Sequence, residues 1–199
     1  MNFVWRKEWI KAYETPWSIF EKLAFANRLN RNDILRFFGN DDVKRIKNPN
    51  IGDNRRELIQ LSGFNASLLN NVFETDLVGG CKQSVNTLIE PLNYFRERLN
   101  TWFPEHLHWC HDCLSQGYHS WFHQFLLIKR CPFHETTLLD CCPNCSGRIP
   151  FLISNKGLSS PFTCICGYQL TSCFVPEWKN VWSDPIDGMQ DQTVREWLS

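Results

Sequence analysis

The sequence has no apolar run approaching the roughly 20 residues that span a bilayer. Its first residues, MNFVWRKEWIKAYETPW, lack the apolar stretch of a secretory leader. A soluble, cytoplasmic chain with no membrane partner is therefore expected. Net charge is missing too: 21 Lys and Arg face 21 Asp and Glu, so no global basic field announces a polyanion. The familiar catalytic signatures are also lacking. There is no Gly-rich phosphate loop, no HExxH, no Ser or Cys with a base at motif spacing, and no strand framework for a carboxylate nuclease. Enzymatic activity is not expected.

What is present is unevenly distributed. Residues 1–100 carry 15 basic and 12 acidic groups and residues 101–199 carry 6 and 9, so a polyanion-binding face belongs to the first half. Cysteine is nearly absent there: nine of the ten lie beyond residue 109, leaving only Cys81 before it. Clustered cysteines in a chain without a leader point to metal in a reducing compartment rather than to a disulfide framework.

The first half reads as short helices. Thr15-Pro16 supplies an N-cap and a first-turn proline, followed at helical spacing by Trp17, Phe20, Leu23 and Ala24. Ile34, Leu35, Phe37 and Phe38 form a second helix stopped by Gly39. Residues 41–55 read as a polar loop. Leu58, Ile59 and Leu61, the turn Ser62-Gly63-Phe64-Asn65, and Leu68, Leu69, Val72 and Phe73 then make two helices about a tight turn. That pattern is compatible with a helix-turn-helix and is equally the ordinary packing unit of small helical domains. Gly79-Gly80 is expected to end this stretch, with helix resuming over 84–102 around Pro91. The expected organisation is an α+β, mainly helical protein: a helical domain over 1–103 with a helix-turn-helix element, tandem zinc fingers over 104–175, and a tail over 176–199.

The second half carries the chemistry. Cys110 and Cys113 form a C-x2-C pair, and after 17 intervening residues Cys131 and His134 form C-x2-H. Cys142 and Cys145 repeat C-x2-C, and 18 residues further on come Cys164 and Cys166 as C-x-C. Zinc takes four N or S ligands in a tetrahedron, and each tight Cys turn presents two of them from one knuckle. Paired ligands separated by 15–20 residues match zinc-ribbon spacing. Two zinc ions per chain are expected, each with all four positions filled by protein and therefore structural. Cys141 is a competing neighbour of Cys142, and Cys81 and Cys173 read as packed thiols. His119 and His123, four apart, are expected on one helix face as hydrogen-bonded or exposed imidazoles rather than ligands. His106 and His108 carry no readable signal.

The stretch CHDCLSQGYHSWFHQFLLIKRCPFHETTLLDCCPNCSGRIPF, followed by CICGYQL, resembles the tandem zinc module of the TniQ/TnsD family of DNA transposition proteins. ETPWSIFEKLAFANRLN resembles the family's opening helix and LIQLSGFNASLLNNVF its helix-turn-helix segment, so the resemblance spans about residues 12–172. It implies a target-site selection adaptor that links DNA or a CRISPR effector complex to an AAA+ ATPase, which recruits the transposase. The chain stops in VREWLS, which reads as the interior of a helix. A piece of a longer TnsD-like protein and a short TniQ-like member are both open.

Two surfaces follow as expectations. Arg28, Arg31, Arg36, Lys44, Arg45, Lys47, Arg55 and Arg56 place eight basic groups in 29 residues against four Asp, a candidate for salt-dependent phosphate contact. Lys129, Arg130, Arg148 and Lys156 are secondary candidates. Trp5, Trp9, Tyr13 and Trp17 crowd the N-terminus and Trp178, Trp182 and Trp197 the tail. Such aromatics anchor protein partners or cover a small core, and the N-terminal group is expected to dock the ATPase. The competing reading is a zinc-stabilised DNA-binding transcription regulator or interaction module, which needs no ATPase.

Overall fold

The computed structural model describes residues 3–41, 56–92, 102–153, 158–172, 177–186 and 188–198. After a 3-10 turn at Lys7–Trp9, helix α1 runs Pro16–Asn27 and α2 Arg31–Phe38. Next come α3 (Arg56–Gln60), α4 (Ala66–Phe73) and α5 (Leu77–Ile89). The second half holds the short helices α6 (His111–Ser115) and α7 (Trp121–Gln124), a two-stranded antiparallel hairpin of β1 (Leu158–Ser160) and β2 (Thr163–Cys164), and α8 (Trp178–Ser183) and α9 (Gln192–Trp197). The protein is α+β and mainly helical. Among the described residues no helix is long and apolar enough to cross a membrane.

Helix starts follow their caps, with one revealing exception. Asn30 opens α2 through a capping box with Asp33, and Asn65 accepts from Leu68 N at 3.0 Å to open α4. Pro16 stands at the start of α1 as expected, but Thr15 does not cap it. Its hydroxyl is drawn instead to His119 Nδ1 at 2.8 Å, and its amide to His119 O at 2.8 Å. Gly39 ends α2 in an extended conformation and bridges Phe64, so the turn between α3 and α4 is pinned to the end of α2. Gly79-Gly80 does not stop a helix. Both residues lie inside α5, whose N-cap Asp76 accepts from Gly79 N at 3.0 Å, and a Cβ on Gly79 would collide with that carboxylate. The glycine opens room for the cap that starts the helix. The expected loop at 41–55 falls outside the described residues apart from Asp41.

One apolar cluster reaches from Trp9 to Val194 and crosses the boundary near residue 103 suggested by sequence texture. Phe20 stacks on Phe64 with ring centres 5.0 Å apart, and Phe38 on Phe73 at 6.1 Å. Trp17 meets Phe162 of the hairpin at 5.8 Å. Trp182 packs within 5.3 Å of Trp9 and 5.6 Å of Phe25, which fixes the tail on the N-terminal segment. Gly117, at φ +72°, allows the same indole to approach, since a side chain there would meet Trp182 Nε1.

Polar contacts tie the halves together as firmly. Residues 12–15 pair with 118–121: Trp121 N donates to Tyr13 O at 2.9 Å and Tyr118 Oη to Ala12 O at 2.8 Å. Two ion pairs are buried. Lys22 meets Glu14 at 2.8 Å and donates to Trp9 O. Arg31 makes a two-point contact with Glu21, whose second oxygen also accepts from Phe162 N at 2.9 Å.

Candidate metal centre

Two turns of near-identical backbone present ligands. In Cys131-Pro-Phe-His134, Cys131 O accepts from Glu135 N at 2.8 Å and Cys131 N donates to Thr136 O at 2.8 Å. In Cys142-Pro-Asn-Cys145, Cys142 O accepts from Ser146 N at 2.8 Å and Cys142 N donates to Gly147 O at 2.9 Å. Glu135 and Ser146, the fifth residue of each turn, both sit in the left-handed region (φ 53° and 56°). The first residue of each turn is thus held at both backbone groups, and both side chains of the pair project to one side.

The partners close two clusters. Cys110, Cys113, Cys131 and His134 bring four donor atoms within 4.8 Å of one another, and so do Cys142, Cys145, Cys164 and Cys166. An ion bound tetrahedrally at about 2.3 Å from sulfur and 2.0–2.1 Å from nitrogen requires S···S edges of about 3.8 Å and S···N edges of about 3.5 Å. The first cluster shows Cys113–Cys131 Sγ at 3.6 Å and His134 Nδ1 at 3.3–3.6 Å from its three sulfurs. The second shows Cys142–Cys166 and Cys145–Cys164 Sγ at 3.7 Å each. The donor sets and their dimensions fit two metal ions, with no coordination position left for water. Cys141, half-buried beside Cys142, belongs to neither cluster, and Cys81 is a buried thiol pushed up to about 12 by desolvation. Cys173 lies outside the described residues.

The two clusters sit in different surroundings. In the first the three cysteines are buried; in the second Cys145 and Cys166 are exposed. Around the first, Thr136 Oγ1 lies 3.3 Å from Cys110 Sγ and His123 Nε2 lies 3.5 Å from Cys131 Sγ. His123 Nδ1 accepts from Ser120 N at 3.2 Å, so the proton of the neutral ring sits on Nε2 and is directed at the Cys131 sulfur. Burial holds this imidazole down to about 4, which keeps it neutral. His119 is fixed likewise: Nε2 donates to His108 O at 2.7 Å, so Nδ1 accepts from the Thr15 hydroxyl. Burial drives its pKa well below the usual value. Both histidines are fully buried second neighbours of the metal cluster, not exposed side chains of a helix. Around the second cluster Asn144 Nδ2 donates to Cys166 Sγ at 3.4 Å and lowers that thiol to about 6, while burial raises Cys164 to about 12. Metal binding would deprotonate all seven thiols.

The other expected site residues are scattered. Arg28 and Arg36 are exposed. Arg31 is buried at 3% exposure and committed to Glu21, which corrects its assignment to a phosphate-binding face. Lys44, Arg45, Lys47 and Arg55 lie outside the described residues, as does Lys156, and Arg56 opens α3 with a side chain outside that description. Lys129, Arg130 and Arg148 are exposed, Arg148 lying 3.5 Å from Asp140. Trp9 and Trp17 are fully buried, which corrects their assignment to a docking surface. Trp5 is half-buried, edge-on to Trp9 and Phe73, and Tyr13 packs against Phe122 at 4.7 Å.

The class defined by this geometry is a mainly helical protein with two closed Cys/His metal clusters in tandem. No protein-family model matches the chain, and no curated protein matches it.

Proposed function

We propose that the chain is a non-catalytic adaptor whose two clusters each hold a structural zinc ion, and that it selects target sites in DNA transposition by joining target DNA or a targeting complex to an AAA+ ATPase. The observation that carries this reading is the pair of closed four-donor clusters built in the order C-x2-C, C-x2-H, C-x2-C, C-x-C, which is the order in the TniQ/TnsD zinc module that the sequence resembles. Thiolate-rich tetrahedral donor sets suit zinc. With every position filled by protein, each ion would cross-link distant segments rather than activate water.

In this reading α3 and α4 form the helix-turn-helix. The exposed positions of α4 include Ala66, Ser67 and Asn71, small and polar groups suited to base edges but without positive charge. Phosphate contacts would then come from elsewhere, with Arg28 and Arg36 the exposed candidates of the basic cluster in the described residues. A protein surface for the ATPase would use Trp5 and Tyr13, the half-buried aromatics of the N-terminal group.

The test is co-sedimentation of the zinc-loaded chain with the AAA+ ATPase encoded beside it, assembled on DNA with ATP. Binding that requires the assembled ATPase is expected. Absence of binding by a folded chain with two zinc ions would sink the adaptor reading and favour a zinc-stabilised DNA-binding regulator.

A further inference from the structure

Residues 106–109, His-Leu-His-Trp, alternate in burial as an extended strand does: Leu107 and Trp109 are fully buried and His106 and His108 half-buried. Isolated bridges pair His106 with Pro150 and Trp109 with Leu139, and Leu107 N donates to Ile149 O at 2.7 Å. The segment is also held by two fully buried side chains. Gln124 Nε2 donates to Pro104 O and His106 O at 2.9 and 2.8 Å, its Oε1 accepts from His108 N at 3.2 Å, and His119 Nε2 donates to His108 O. Backbone held on both edges and from the core leaves the two imidazoles little freedom in where they point. They converge, with His106 Nε2 and His108 Nε2 3.3 Å apart.

We propose that His106 and His108 form a third metal site, for a divalent ion that prefers imidazole, of the zinc, copper or nickel type. Two imidazole nitrogens at about 2.0–2.1 Å from a tetrahedral ion stand about 3.3–3.4 Å apart, which is the separation found. Both nitrogens carry an in-plane lone pair when the rings are neutral, and i, i+2 spacing on an extended segment puts both on one side of it. The site differs in kind from the cysteine clusters. It has two protein ligands of modest softness, so it leaves coordination positions open to water or to a donor on a bound molecule, and it exchanges its ion readily. Its charged surroundings are mixed: the Asp140 carboxylate favours a cation near His108, while Lys129 and Arg148 oppose one. Binding should therefore be weaker than at either thiolate cluster and depend on the imidazoles themselves.

The experiment starts from the full chain carrying two zinc ions. Zinc is added against a chromophoric chelator, and the imidazole nitrogens are followed by two-bond proton–nitrogen NMR. A third ion per chain is expected, with the His106 and His108 Nε2 resonances moving together. His106→Gln and His108→Gln should each weaken the third ion at least about tenfold while retaining two zinc ions and an unchanged melting temperature. Unmoved Nε2 resonances across the titration would overturn the proposal and leave an imidazole–imidazole hydrogen bond. So would a third ion bound equally well by both variants. The NMR measurement on the unaltered chain decides the matter by itself if a variant fails to fold.

Discussion

Burial assigns the aromatic and charged residues that composition alone leaves open. Trp9 has no exposed surface and touches Trp5, Trp178 and Trp182, so its ring belongs to the joint between the N-terminal segment and the tail. Trp9→Ala should cost about 3–5 kcal/mol, read by urea unfolding, and any accompanying loss of partner binding would then be secondary to unfolding. Trp5→Ala, at a half-buried position, is the sharper probe of docking. His119 carries a prediction of a different kind. Its imidazole is neutral in the fold because burial holds its pKa well below 6.5, whereas in the unfolded chain it titrates near its usual value. The unfolded state therefore binds the extra proton as pH falls through about 6.5, and stability present above that pH is lost below it. The expected slope contribution is up to about 1.4 kcal/mol per pH unit. Urea unfolding of the metal-loaded chain between pH 7.5 and 5.5 should show a shallower pH dependence in His119→Gln; an unchanged slope would remove His119 from the acid response.

At the scale of elements, the Glu21–Arg31 pair joins α1, α2 and the β1–β2 hairpin, since Arg31 also donates to Ser160 O at 3.1 Å. Arg31→Leu would strand a buried carboxylate and should destabilise by about 3–5 kcal/mol. The double change Glu21→Leu with Arg31→Leu should recover much of that loss, and a double-mutant cycle in urea checks both values. This pairing could not be read from the sequence, because its hairpin partner lies 129 residues from Arg31 and nothing local marks it. The zinc-type ligands were legible for the opposite reason: each pair sits within one turn, and the chemistry of the turn is written in Cys-Pro-x-Cys and Cys-Pro-x-His. The hydrophobic positions of α1, α2, α3 and α4 were legible through their spacing. The start of α5 was not, since Gly79 is there for the sake of the Asp76 cap and two adjacent glycines ordinarily read as an interruption. His123 escaped notice because a second neighbour of a metal has no fixed spacing from the ligands, and His106 and His108 because period-two alternation over four residues is too short to stand out.

For the whole molecule, the two clusters should part with their ions unequally. Cys145 and Cys166 are exposed, whereas Cys110, Cys113 and Cys131 are buried and supported by Thr136 and His123. Treatment with a strong chelator should release metal in two phases, the second cluster first, followed by colorimetric zinc detection. Cys145→Ser should remove the fast phase and Cys113→Ser the slow one; simultaneous release would show that the clusters act as one unit. Either loss should reach beyond its own turn, because the hairpin that carries Cys164 also supplies Phe162 to Trp17 and to Glu21.

The pairing of residues 12–15 with 118–121 has a consequence for how the protein is made. The N-terminal segment leaves the ribosome more than a hundred residues before its hydrogen-bonding partners Tyr118 and Trp121 exist. Until then Trp17 and Thr15 have no native surroundings, and contacts of such long range are slow to form and prone to non-native association. The first helix thus waits, its apolar face uncovered, for a stretch of chain that is ordered in turn by its own metal. Biosynthesis of this protein is thereby coupled to zinc supply at its very first helix, and a nascent chain starved of the ion stays a client for chaperones from its beginning.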